Sequence, residues 1–143
     1  MKLHHIIIGA AGLTACAHQA PQPTIDMQGQ WDIENIVFND STYVRPAEEV
    51  PGSRQYITFD SGQYFVQTNC NTLAGSYDIK GDTLILGDGA MTEIACDNMA
   101  TEDAFRKFIM QVATIDTEND SITRLNFINS GAYIILHKST DKK

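Results

Sequence analysis

Basic side chains are scarce in this chain: 10 Lys and Arg stand against 18 Asp and Glu, a formal charge of −8. Nucleic acid and anionic lipid headgroups both reward clustered Lys and Arg, so this balance argues against either as a partner. Histidine is scarce too. Of the 4 present, His4 and His5 stand at the start, His18 lies in a polar stretch, and only His137 falls on an expected strand. A lone strand histidine is far more often a surface residue than a catalytic base. No G-x-S-x-G, H-E-x-x-H or P-loop sequence occurs. No catalytic residue, metal site or cofactor is expected. Repeats and low-complexity tracts are also missing.

Long apolar runs are lacking as well. The longest, residues 6–13, rises only about 12 Å as a helix against roughly 30 Å of hydrocarbon, so it cannot span a bilayer. Its setting gives it another meaning. Lys2 precedes it and Leu13-Thr14-Ala15-Cys16 closes it, which is the order of a secretory signal with a small-residue cleavage site. The LTAC end resembles the lipobox of bacterial lipoproteins: an aliphatic residue, two small ones, then the cysteine that is lipidated and becomes the first residue. An ordinary signal with a coincidental cysteine is the alternative. The resemblance implies a signal over residues 1–15 and three acyl chains on Cys16. Several chains make a durable anchor, at about 0.8 kcal/mol per buried methylene. Ala17 stands where an aspartate would retain an enteric-type lipoprotein at the inner membrane. Outer-membrane attachment, facing the periplasm, is the expectation.

Cleavage before Cys16 leaves one domain's length of chain, with nine basic and eighteen acidic side chains. With Cys16 committed to lipid, Cys70 and Cys96 remain. An even pair in an exported chain reads as a disulfide, with two buried free thiols as the alternative. They have neither CxxC spacing nor the further ligands that zinc would need.

Residues 16–28 are polar, hold two prolines and read as a lipidated cysteine on a flexible tether. The folded domain is expected over residues 29–138, with a polar tail at 139–143. Residues 31–38 read as a strand with a bulge or bend before its end. Residues 41–53, with Pro46, Pro51 and Gly52, read as a loop, in which Glu48-Glu49 is a charged stretch. Strand patterns at 55–60 and 63–68 flank Ser61-Gly62 as a hairpin, and those at 76–80 and 83–86 flank Gly81-Asp82 as a second. Residues 90–96 form a further short strand candidate, and the last two strands are 122–128 and 132–138. Between them, residues 116–127 start like a calcium loop. Ser121 stands where Gly is needed and Phe127 where Glu is needed, so the segment reads as a solvated turn.

One segment breaks the alternation. In residues 101–113 the apolar Ala104, Phe105, Phe108, Ile109 and Val112 recur at helical spacing. Thr101 is the expected N-cap, and Glu102–Arg106 and Asp103–Lys107 are i,i+4 pairs in the better orientation. One helix among about seven antiparallel strands gives an α+β fold: a curved sheet or partly open barrel with the helix packed on its apolar side.

Two stretches carry a family resemblance. Cys70-Asn71-Thr72-Leu73-Ala74-Gly75-Ser76-Tyr77 resembles the C-N-x-x-x-G-x-Y segment of META domains, the HslJ-like group of heat-shock lipoproteins. Met91-Thr92-Glu93-Ile94-Ala95-Cys96 resembles their M-T-x-x-x-C segment. Trp31 matches the opening G-x-W strand, and Glu102 to Phe105 fall where the family has an acid and an aromatic opening its helix. The likeness spans residues 29–138. The family's usual glycine before Cys-Asn is Asn69 here, a residue that also tolerates positive φ. The motif residues read structurally. Gly75 supplies a positive-φ or close-packed position, and Asn71 bonds backbone of its own loop. A Cys70–Cys96 bridge would staple that loop to the strand before the helix. Trp31, Tyr77, Met91 and Thr92 complete the framework.

The resemblance implies no established catalytic residue. It favours a stress-associated, non-enzymatic binding or assembly factor at the envelope, holding an apolar segment of another envelope protein in a groove beside the helix. Phe127 and Tyr133 are the candidate lining residues. The alternative is a small periplasmic enzyme or inhibitor. A surface apolar groove would favour the first reading, and a polar cleft holding His137 with a carboxylate the second. Replacing Cys16 by Ser is expected to abolish lipid labelling and release the protein from outer-membrane fractions. Co-fractionation of the variant with that membrane would show that lipid is not the anchor.

Overall fold

The computed structural model describes residues 23–140 together with Gly12, Cys16, Ala20 and Pro21. The expected signal, His18 and the last three tail residues lie outside these. Nine strands and two helices follow in the order β1 (Gly29–Val37), β2 (Tyr43–Val44), α1 (Pro46–Glu49), β3 (Tyr56–Asp60), β4 (Gln63–Gln67), β5 (Thr72–Lys80), β6 (Thr83–Met91), α2 (Ala100–Phe108), β7 (Val112–Asn119), β8 (Ile122–Phe127) and β9 (Tyr133–Lys138).

Every strand pairing is antiparallel, and neighbours in the sheet run β2-β1-β3-β4-β5-β6-β7-β8-β9. The sheet then closes on itself. β9 pairs with β1 from Trp31↔Lys138 to Val37↔Tyr133, across a bulge between Ile33 and Asn35. Eight strands thus make a closed barrel, with the short β2 added beside β1. The expected curved or partly open sheet is the right class, but β1 and β9 are joined, and the short β2 stands at the edge beside β1.

Alternation sets the core. Trp31, Ile33 and Ile36 of β1 point inward with Ile57 and Phe59 of β3, Leu84 and Leu86 of β6, and Ile134 and Leu136 of β9. Phe105 and Phe108 enter the same core from α2. The Phe108 ring stacks on Phe127 at 4.1 Å between centroids and lies 6.0 Å from Phe38.

The two expected hairpins form as read. At the first, Ser61 (φ 49°) and Gly62 (φ 81°) are both left-handed, the tight turn that matches strand twist. β5 and β6 are longer than the sequence pattern suggested, starting at Thr72 and ending at Met91, so 90–96 is no separate strand. Small residues let the two strands meet closely: Gly75 faces Gly89 and Ala74 faces Ala90.

The helix is shorter than expected. It has Met99 as N-cap with no side-chain cap, while Thr101 is buried and the Asn98 Oδ1 atom accepts from the Ala100 N–H at 3.0 Å. At its other end Met110 adopts φ 65° and donates its N–H to Leu86 O, turning the chain into β7. Val112 and Ala113 therefore belong to a strand, although their spacing continues the helical period. The 41–53 segment is likewise not all loop, since it holds β2 and α1. Asp116, Thr117 and Glu118 lie in β7, and the solvated turn is confined to Asn119–Ser121, where Asn119 Oδ1 accepts from the Ser121 and Ile122 N–H groups.

Packing begins before Gly29. Met27 is buried, its carbonyl accepts from the Trp31 indole N–H at 2.8 Å, and the Ile25 N–H donates to Gly81 O at 3.0 Å. The packed domain thus begins near Ile25 rather than Gly29. Strand directions give the barrel two unlike ends. The incoming tether and the turns at 61–62, 81–82 and 119–121 share one end, and α2 with the 68–71 and 92–99 segments occupies the other.

A Cβ built on Gly89 would lie 2.0 Å from Ala74 O, a backbone atom that has no room to yield. Gly89→Ala is expected to destabilise the barrel by about 3 kcal/mol, read by thermal or urea unfolding. A near-neutral result would show that β5 and β6 do not pack this closely.

Candidate functional site

The motif residues converge at the end away from the tether. Cys70 and Cys96 form a disulfide with Cα atoms 6.7 Å apart, closing 26 residues of sequence. Beside it β6 has ended; the Thr92 N–H still donates to Thr72 O of β5 at 3.0 Å, and residues 93–99 pass with no strand to pair with. Asn71, fully buried, takes the strand's place. Its Oδ1 accepts from the Ile94 N–H (2.8 Å) and its Nδ2 donates to the Ile94 carbonyl (2.9 Å), the paired exchange that an opposing strand residue would make. Oδ1 also accepts from the Thr92 hydroxyl at 2.9 Å, and Nδ2 reaches Glu102 Oε1 at 3.4 Å. All four hydrogen-bonding positions of the amide are used. Asn71 was expected to serve its own loop; its side chain serves the facing one instead.

Glu102, expected to pair with Arg106 along the helix, is fully buried. The Thr68 hydroxyl accepts from the Asn71 N–H at 3.0 Å and donates to Glu102 Oε1 at 2.5 Å. The other oxygen, Oε2, is buried with no partner. Glu102 shares a helical stripe with Phe105 and Ile109, a spacing that marks the core face and was the available sign of its burial. Asn69 donates its side-chain N–H to Asn98 O at 3.1 Å and is not among the positive-φ residues, so the turn does not need the family's usual glycine.

The other motif residues serve the barrel wall and the tethered end. Gly75 is needed for closeness rather than for φ, since a Cβ there would meet Tyr64 at 2.8 Å and Asp88 O at 2.9 Å. The Tyr64 hydroxyl donates to Gly87 O at 3.1 Å; burial, then the charge of Asp88, raises its pKa above the ordinary value. Tyr77 packs edge-on to Phe59, and its hydroxyl lies 3.0 Å from the Gln28 amide. Met91 packs partly buried against the core. Cys16 is exposed.

Three clefts mark the outer surface. The first, about 480 Å³, is lined by Asp32, Ile33, Glu34, Ala47, residues 52–55 and His137. It holds His137 with a carboxylate: Asp32 and His137 face each other across β1 and β9. Asp32 Oδ2 pairs with Arg54 at 3.5 Å. The second, about 610 Å³, is an open concavity over β3–β5 in which Tyr56 and Phe65 rings lie 6.4 Å apart beside Thr58 and Ala74. The third lies at the tether around Ile25 and Tyr77. None of these three includes a residue of α2. Phe127 is 1% exposed and stacked on Phe108, so it is core and lines no groove. Tyr133 lies under the Arg124 guanidinium.

A closed antiparallel barrel with an inserted helix, stapled where the two motif segments meet, defines a small structural class. The chain belongs to the META domain family, whose match covers residues 24–139. Among solved structures it is similar to a protein from Burkholderia xenovorans determined by NMR, at TM-score 0.66 and 19% identity over 98% of this chain and 100% of that one. It is also similar to a DUF4847 family protein from Bacteroides vulgatus (TM-score 0.53, 11% identity, 80% of this chain and 95% of that one). A protein from Bacteroides eggerthii gives TM-score 0.50 and 13% identity over 80% of this chain and 100% of that one. At these identities the likeness is one of fold. No curated protein matches in sequence.

The disulfide should contribute on the order of 3 kcal/mol through the loop it closes. Asn71→Ala removes partners from Ile94 and Thr92 at once and should cost about 3 kcal/mol in unfolding experiments, against about 1 kcal/mol for Thr92→Val. Equal, small losses in both variants would show that the amide does not hold the 92–99 segment.

Proposed function

We propose that the protein is an outer-membrane lipoprotein, held by acyl chains on Cys16 with its barrel on the periplasmic side. There it serves as a non-enzymatic, stress-associated binding or assembly factor. Its partner is an apolar segment of another envelope protein. The observation that carries the reading is the open concavity over β3–β5, where Tyr56 and Phe65 present rings on the outside of a closed barrel. Phe65 is 37% exposed, with its ring beside that of Tyr56. The volume of about 610 Å³ suits a few side chains of a bound segment. The tether supports the placement: nine residues link Cys16 to the docked Ile25, a reach of up to about 30 Å. This moves the partner site from beside the helix to the barrel wall.

The second reading, a small periplasmic enzyme or inhibitor, draws on one observation: Asp32, Ser53 and His137 line a single cleft. Covalent labelling of Ser53 by a fluorophosphonate, lost in His137→Ala, would favour it.

Titration with amphipathic peptides tests the first reading. Phe65→Ala should leave the unfolding midpoint nearly unchanged and weaken peptide binding about tenfold or more. Binding as tight as the unaltered protein's, or none by either, would remove the concavity as the site.

A further inference from the structure

We propose that the cleft between β1, β9 and the 47–55 segment is a binding site for a cationic nitrogen group, a primary ammonium or a guanidinium. The argument rests on which polar atoms there are served. Gln55 is 3% exposed, and its Oε1 is buried without a donor. Asp32 Oδ1 is in the same condition. Both residues line the cleft. Both unserved atoms are acceptors, so the complement they lack is an N–H or O–H donor.

Charge narrows the choice. Asp32 Oδ2 already faces Arg54 at 3.5 Å, so that guanidinium is met within the site. Glu34 adds a second acid to the lining, and His137 is the other titratable side chain there. An anion would meet Asp32 and Glu34 with Arg54 already engaged. A cation would meet two carboxylates and the Gln55 amide oxygen. The chain's formal −8 draws cations from a distance as well.

Both acceptors are shut from solvent. The 46–55 segment beside them is held by Asn98 Nδ2, which donates to Glu49 Oε2 at 2.7 Å, and by two hydrogen bonds at Gln55. The Ile33 N–H donates to Gln55 O at 2.9 Å. The Gln55 Nε2 donates to Pro46 O at 3.4 Å, close to the limit of a hydrogen bond. The second is the weaker one, so the Gln55 amide is the group a bound nitrogen would re-aim. Asp32 also pairs with Tyr56 across β1 and β3, which places this cleft next to the aromatic concavity. The inference stands apart from the apolar-segment reading, because it uses none of that surface.

The test is an NMR titration of the intact protein with n-butylammonium and methylguanidinium at constant ionic strength, with butyrate as the anionic control. Saturable shifts at Asp32–Glu34, residues 47–55, the Gln55 side-chain amide and His137 are expected with the cations alone. Asp32→Asn should weaken them about tenfold, and Glu34→Gln, an exposed change that spares the fold, a few-fold. Phe65→Ala should leave them unchanged, so failure of the concavity reading and failure of this one are separable. If a blocked lysine peptide saturates the site and the free amines do so less tightly, the source is a protein side chain; the reverse order means a small amine. No saturable response at the cleft, an equal response to butyrate, or undiminished cation binding by a folded Asp32→Asn variant would overturn the proposal and leave buried water as the donor.

Discussion

Asn71 carries its side-chain amide to a place where a strand would be needed and none is left. β6 ends at Met91, and the chain must still travel to the start of α2 through residues 92–99 without leaving backbone groups unpaired. An amide side chain is the one group that offers a donor and an acceptor in the geometry of a peptide, so it can pair with Ile94 on both sides. That pairing fixes where 92–99 lies, hence where Cys96 meets Cys70 and where Glu102 enters the core. The disulfide secures the same contact covalently. The two act on different sides of the balance: the amide stabilises the folded segment, while the bridge restricts the unfolded chain.

This junction gives the barrel a locked end and a tethered end. At the locked end the helix contributes Phe105 and Phe108 to the core, and a buried carboxyl is held by Thr68 and Asn71. At the other, Met27 and Ile25 dock against Trp31 and the 81–82 turn. With both ends filled and β1 closed on β9, surface for recognition is left on the barrel wall. The His137 cleft and the aromatic concavity are both there, adjoining through Asp32 and Tyr56. They differ in chemistry, one acidic with unserved acceptors and one built from rings, so a partner could use them together or separately.

Much of the local structure was legible in the residues. Ser61-Gly62 and Gly81-Asp82 mark turns because few other residues accept left-handed φ, and the Ala104, Phe105, Phe108 spacing marks a helix face. The pairing of Cys70 with Cys96 followed from their number and the export that the LTAC segment leads one to expect. What failed was non-local. Closure joins Trp31 to Lys138, and neither strand carries a mark of its partner. Val112 and Ala113 continue a helical period by coincidence, and the left-handed Met110 that ends the helix is a residue that rarely adopts such φ. Glu102 was read as one half of an i,i+4 pair with Arg106, although its stripe with Phe105 pointed inward. The acidic cleft was out of reach because Asp32, Gln55 and His137 are brought together only by the closed barrel.

The central claim is that a side-chain amide does the work of a strand at residues 92–99. The most direct measurement is amide hydrogen exchange at Ile94, whose side chain is 58% exposed and whose segment has no regular structure. If Asn71 Oδ1 holds that N–H, it should exchange about a hundredfold or more slowly than an open loop, on a par with barrel amides such as that of Leu73. Exchange at the rate of an open loop would contradict the account.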